Sequence, residues 1–305
     1  MTQPETGRPF GRLLTAMVTP FTADGGLDLD GAQRLATYLV DEQGNDGLVV
    51  SGTTGESPTT SHDEKDRLLR VVVEAVGDRA HVIAGAGTND TAHTVHLCQS
   101  AEKAGADGVL LVTPYYNKPP QAGLLVHFRT AADATGLPAM LYDIPVRTGT
   151  PIETETLVRL AEHPRIVAVK DAKGDLEASA WVMARTDLAY YSGDDKVTLP
   201  LLSIGAVGVV GVPTHLLGAR TADMIAAYER GDVGAALAAH RSLLPAFTGF
   251  FRTQGVILTK AALRLAGLPG GPVRPPLVDA TPDQVDTLRT DLAAAGATLP
   301  ADSAS

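Results

Sequence analysis

The chain has 305 residues, 44% of them apolar and 20% charged, and a formal charge of −10, which fits a globular protein the size of one α/β barrel with an appendage. With no block of clustered Lys and Arg, nucleic acid is not an expected partner, and no apolar stretch reaches the length of a membrane span. The single cysteine, Cys98, excludes an intrachain disulfide and a thiolate metal cluster.

The opening MTQPETGRPFGR has no apolar signal-peptide core, so a cytoplasmic location is expected, with residues 1–11 as a flexible N-terminus. From there, apolar runs of strand length alternate with amphipathic runs of helix length. Strands are expected at Arg12–Val18, Gly47–Gly52, His81–Ala86, Gly108–Thr113, Pro138–Asp143, Ile166–Asp171, Leu188–Gly193 and Gly208–Val212. Helices fit between them: Ser61–Val76 opens on the capping-box pattern Ser61-x-x-Glu64, and Ala92–Ala104 is closed by Gly105. Eight βα units predict an α/β fold of the closed (β/α)8 TIM-barrel type, covering residues 12–230.

After the eighth strand the chain reads helical at Ala219–Arg230, Val233–Leu244, Val256–Ala266 and Pro282–Ala295. This exceeds what closes a barrel, so residues 231–305 are expected to form a small C-terminal helical appendage. Within it, GLPGGPVRPP is expected to be a surface loop, and TLPADSAS to fray. Cys98 lies on a helical pattern and reads as a buried structural thiol. His93 and His96, spaced i, i+3 on that helix without a carboxylate partner pattern, read as a solvated face, so no metal is expected.

In a barrel of this kind, chemistry gathers at the C-terminal ends of the strands. The unusual polar residues fall there, in SGTTGES, TPYYN, LYDIPVRTG, VKDAKG and YSGDD. Lys170 stands directly after four apolar residues at the end of an expected buried strand. Desolvation there lowers a lysine pKa and yields the neutral amine that attacks carbonyls; the alternative is a snorkelling stem or a pairing with Asp171. The glycines of SGTTGES permit a tight turn in which Thr53 and Thr54 offer hydroxyls and N–H groups to a carboxylate, or simply form a βα loop. Tyr142 and Tyr116 suit a proton relay beside Lys170, or ordinary packing. Arg147 is a planar fork suited to a carboxylate, or a solvated loop arginine. GAGTND lacks the last glycine of a dinucleotide fingerprint, so no Rossmann site is expected.

Together, GTTGESPTT, TPYYNKP, LYDIPVRTG, VKDAKG and SGDD, in this order and spacing, resemble the dihydrodipicolinate synthase branch of the pyruvate-dependent class I aldolases, from about Arg12 to Leu277. The resemblance implies a homotetramer, a dimer of dimers, that condenses pyruvate with L-aspartate 4-semialdehyde in diaminopimelate and lysine synthesis. It implies Lys170 as the Schiff-base residue and Tyr142 as the proton relay, working with Thr53 and with Tyr116, which reaches into a neighbouring subunit's site. Thr54 with Thr53 matches the pyruvate carboxylate nest, Arg147 the arginine that binds the aldehyde substrate's carboxylate, and Gly193 and Val210 positions lining the lysine. No cofactor is implied, because the protonated imine is the electron sink.

The sequence departs from that pattern at Asp143 and Val146, where asparagine and serine are common, and at Lys173, where threonine is frequent. RTQGVILTKAAL also departs from a proline-containing helix start. Lys65 and His93 stand at the positions of a histidine and a glutamate that bind lysine in feedback-inhibited members, so weak or absent lysine inhibition is expected. A keto-deoxy-sugar or N-acetylneuraminate lyase of the same superfamily shares the lysine and tyrosine, but Arg147 and the double threonine favour the synthase. A non-catalytic keto-acid sensor would be expected to lack one of the two reactive groups.

Overall fold

The computed structural model describes residues 7–297 and 299. Eight parallel strands close into one barrel in chain order: β1 (Leu13–Ala16), β2 (Gly47–Val50), β3 (His81–Gly85), β4 (Gly108–Val112), β5 (Ala139–Asp143), β6 (Ile166–Asp171), β7 (Ala189–Ser192) and β8 (Gly208–Gly211), with β8 pairing back to β1. All eight expected strands are present, most of them shorter by a residue or two at an end. Strand β2 shows why: Ser51 sits at φ 59°, which turns the chain out of the sheet before Gly52.

Side chains alternate across the barrel wall. One set, including Leu14, Val49, Ile83, Leu110, Met140 and Ala168, fills the interior. The other, including Leu48, Val82, Leu111, Leu141 and Val169, packs outward against the helices. Lys170 and Tyr142 belong to the inward set, Asp171 and Asp143 to the outward one, since β5 and β6 pair Tyr142 with Lys170 and Asp143 with Asp171.

The helix signals act as the sequence predicts. Helix His62–Val76 carries the complete Ser61–Glu64 capping box, and helix Thr91–Ala104 ends on Gly105 at φ 87°. The helix expected to stop at Leu244 instead runs from Val233 to Gly249 with Pro245 inside it. One backbone hydrogen bond is lost there, yet buried Leu243, Ala246 and Phe247 hold the last turns in place. The helix expected from Ala219 begins at Thr214, with a kink at Leu217.

Both ends differ from a simple barrel. Residues 1–6 lie outside the described residues, but Phe10, inside the segment expected to be flexible, is buried, and its N–H donates to the Tyr191 hydroxyl at 3.2 Å. Of TLPADSAS, only Leu299 lies within the described residues. Helix Val233–Gly249 packs on helix Thr214–Glu229, and helices Gly255–Leu265 and Pro282–Ala294 complete the layer.

The expected surface loop 267–276 is instead a strap lying on the barrel. Gly271 (φ 65°) approaches so closely that a Cβ there would lie 1.8 Å from the Phe21 carbonyl oxygen. Arg274 stacks on the Phe21 ring at 4.1 Å and donates to the carbonyls of Gly25 and Thr59 and to Glu64. Its guanidinium holds the Glu64 carboxyl down at about 2. The Gly/Pro composition that reads as a solvated loop here serves close backbone approach.

Candidate active site

Lys170 ends the apolar run of β6 and points into the barrel, 5% exposed. Burial pushes its amine down to about 8; Asp195 opposes that shift and Arg147 adds to it. Its ammonium lies 4.2 Å from the centre of the Tyr142 ring on the adjacent strand. Pairing with Asp171, one of the alternatives, does not occur: Asp171 faces the other side of the wall, where it accepts from the Lys173 N–H at 2.8 Å and from the Ser179 hydroxyl.

On the opposite flank Gly193 leaves room that any side chain would take. A Cβ at this position would stand 3.0 Å from the Lys170 Cγ and 3.1 Å from the Ala172 Cβ. Val210 lies on β8 within the packed interior, 1% exposed.

The turn after β2 is held in a sharp shape. Ser51 and Glu56 both adopt positive φ, 59° and 54°. The Thr53 carbonyl accepts from the Glu56 N–H, and the Gly55 carbonyl from the Thr19 hydroxyl at 2.6 Å. Glu56 is itself anchored from the appendage, by Lys260 at 2.6 Å and by the Arg274 N–H at 2.8 Å. Thr53, Tyr142 and Arg147 line a single cavity of ≈ 200 Å³, with the Ser51 hydroxyl buried and without a hydrogen-bond partner at its edge. Thr54 is half-buried on the same turn but does not line that cavity.

Tyr142 is buried, and burial pushes its hydroxyl up to about 12, with Arg147 opposing the shift. It is therefore a protonated donor at neutral pH. Among the described residues no hydrogen bond joins that hydroxyl to Thr53 or Tyr116. Tyr116 lies outside the cavity altogether, 91% exposed with φ 73°. Arg147 sits on the short helical turn Pro145–Thr148 after β5, exposed at the cavity rim.

Three features were not singled out from the sequence. Asp195, the second aspartate of SGDD, is buried beside the lysine; burial pushes its carboxyl up to about 7, its Oδ2 accepts from the Val212 N–H at 3.3 Å, and its Oδ1 has no donor. The motif was visible, but nothing local marks which of its two acids turns inward. Second, two departures from the family pattern meet: the Lys173 ammonium lies 3.4 Å from Asp143 Oδ2. Third, Glu56 ties the threonine turn to the appendage, a contact spanning more than two hundred residues of chain.

Outside the site, Cys98 is buried with its thiol pushed up to about 12, as expected of a structural thiol. His93 and His96 are exposed, and His96 stacks on His62 at 4.4 Å. Among the described residues no three His, Cys, Asp or Glu side chains converge as a metal-ligand set, and no helix is long and apolar enough to cross a membrane.

Comparison with known proteins points one way. A model of the dihydrodipicolinate synthetase family matches residues 9–295. A 4-hydroxy-tetrahydrodipicolinate synthase of Acidothermus cellulolyticus is 80% identical over 95% of this chain and 94% of its own length. A second relative of that name, from Streptomyces coelicolor, is 65% identical over 95% of this chain and 97% of its own. Among solved structures, that of the Cyanidioschyzon merolae enzyme with lysine bound superposes with a TM-score of 0.92 at 46% identity, covering 94% of this chain and 99% of that one.

Proposed function

The chain belongs to the dihydrodipicolinate synthetase family and acts as a 4-hydroxy-tetrahydrodipicolinate synthase, and we propose that it condenses pyruvate with L-aspartate 4-semialdehyde through a Schiff base on Lys170. The observation that carries the residue assignment is the Lys170 amine, buried in the barrel, held near pKa 8 and set against the Tyr142 ring. A solvated lysine at neutral pH is almost wholly protonated; this one has a substantial neutral fraction.

The neutral amine adds to the ketone carbon of pyruvate. Tyr142, a protonated hydroxyl beside it, gives a proton to the departing oxygen, water leaves, and a protonated imine remains. That cation acidifies the methyl group, and loss of a methyl proton gives the enamine. Its carbon attacks the aldehyde carbon of the second substrate, whose oxygen takes a proton. The substrate amine then adds to the imine carbon, closing the ring and releasing the Lys170 amine.

Thr53 and Thr54 orient the pyruvate carboxylate at the sharp turn after β2, and Arg147 at the cavity rim receives the carboxylate of the aldehyde substrate. Gly193 and Val210 shape the wall around the lysine. Tyr116 acts from a neighbouring subunit in a dimer of dimers: an exposed aromatic held at positive φ suits a residue whose partner is another chain. A cytoplasmic location accords with this chemistry. The test is a coupled assay with pyruvate and L-aspartate 4-semialdehyde, following NADPH loss through added dihydrodipicolinate reductase. Turnover by the wild type and none by Lys170→Ala is expected; turnover retained by the variant overturns the assignment.

A further inference from the structure

Directly behind the reactive pair, on the outer face of the barrel wall, lies a buried charge cluster that the reaction does not use. Strands β5 and β6 end together on the pairs Tyr142–Lys170 and Asp143–Asp171. Beyond them the chain folds back: the Ala172 N–H donates to the Asp143 carbonyl at 2.9 Å, and the Lys173 N–H to Asp171 Oδ1 at 2.8 Å. The Lys173 ammonium then closes on Asp143 Oδ2 at 3.4 Å.

Asp143 is 1% exposed and its Oδ2 has no hydrogen-bond donor, so the ammonium is the charge that compensates it. Burial holds its carboxyl up at about 6 even so, with Asp171 adding to the rise. Oδ1 meanwhile accepts from the Ile152 N–H at 3.1 Å, beyond the turn that carries Arg147. One carboxylate thus ties the end of β5, the loop after β6 and the segment after the arginine turn. Asp171 in turn binds the Ser179 hydroxyl on helix Leu176–Met183.

We propose that Asp143 and Lys173 are a matched pair of positioning residues that fixes Tyr142 and Lys170 relative to each other by fastening the loop after β6 across the end of β5. The proposal rests on Lys170 being the imine-forming residue. Neither member touches substrate; each is one to three residues from a group that does. Removing one leaves the other as an uncompensated charge beside the strand ends, and the strand ends shift to relieve it. Removing both strands neither charge of the pair: Asp171 keeps its own donors, the backbone N–H of residue 173 and the Ser179 hydroxyl, and asparagine keeps the Oδ1 acceptor.

The experiment compares wild type, Asp143→Asn, Lys173→Met and the double variant. It measures kcat, KM for pyruvate, thermal stability, and the rate at which borohydride traps the pyruvate adduct well below the melting temperature. Lys173→Met is expected to slow trapping and kcat by about tenfold, as a misplaced reacting group does, with KM for pyruvate within about twofold because the threonine turn is untouched. The double variant is expected to recover to within about threefold of wild type, the coupling that marks contacting residues. Wild-type trapping rates in both single variants, a double variant as slow as Lys173→Met, or a KM that rises as much as kcat falls would each overturn the pairing. If the wild type itself traps no pyruvate, the assignment of Lys170 fails and the pairing with it; if it traps normally and only the coupling is missing, the pairing alone fails.

Discussion

Replacing Lys260 by methionine removes the ammonium that answers Glu56. Both side chains are almost fully buried, 0% and 1% exposed, and their charges lie 2.6 Å apart. Lys260 also donates to the Pro272 carbonyl at 2.7 Å and sits over the Phe21 ring at 4.2 Å. Burial pushes its amine down to about 8 despite the carboxylate beside it. In Lys260→Met, the Glu56 carboxylate keeps, among the described residues, the Arg274 N–H as its hydrogen-bond donor. Breaking a buried pair by deleting one member costs about 3–5 kcal/mol. At roughly 2 °C per kcal/mol for a chain of this size, the melting temperature should fall by about 6–10 °C. Because Glu56 is three residues from Thr53, the KM for pyruvate should rise as well. The double variant Glu56→Gln/Lys260→Met should recover most of the loss, since no charge is then stranded. Scanning calorimetry with parallel steady-state kinetics reads both effects. A melting temperature within about 1 °C of wild type in the single variant would mean that Glu56 does not depend on the Lys260 ammonium.

Three further outcomes follow from the geometry. With the Lys170 amine near 8, the initial rate of borohydride-trapped adduct formation should rise as pH passes through 8 and level above about 9; a rise that continues through pH 10 would mean an ordinary, solvated lysine. Gly193→Val drives a side chain into the Lys170 Cγ and should lower kcat/KM by about a hundredfold; activity within twofold of wild type would place the lysine elsewhere. Added lysine should leave turnover unchanged, because the Lys65 ammonium, bound to the Ser57 and Thr60 carbonyls at 2.7 and 2.6 Å, meets an incoming ammonium with like charge. Inhibition at micromolar lysine would contradict that.

The barrel was legible because its strands are short β-branched and small-residue runs at a regular interval, and the helix ends because Ser61 and Gly105 act locally. Lys170 stood out for the same local reason, a charge closing an apolar strand. What sequence did not reveal depends on contacts between distant residues. Phe10 looks like part of a polar leader until Tyr191, far along the chain, is seen to receive its N–H. The segment 267–276 has loop composition, yet its meaning lies in Phe21, Glu56 and Glu64. Asp143 and Lys173 each read as an isolated departure, and only the pairing of β5 with β6 shows that one answers the other. Tyr116 is the reverse case: the resemblance gave it a role beside Lys170, while the fold of a single chain leaves it exposed at the surface.

The whole mechanism turns on Lys170 forming the covalent adduct with pyruvate. Its most direct test is to incubate the protein with pyruvate and borohydride, digest it, and locate the modification by mass spectrometry. One reduced pyruvyl adduct is expected on Lys170, dependent on pyruvate and lost in Lys170→Arg. An adduct on another lysine, or none while the wild type still turns over both substrates, would contradict it.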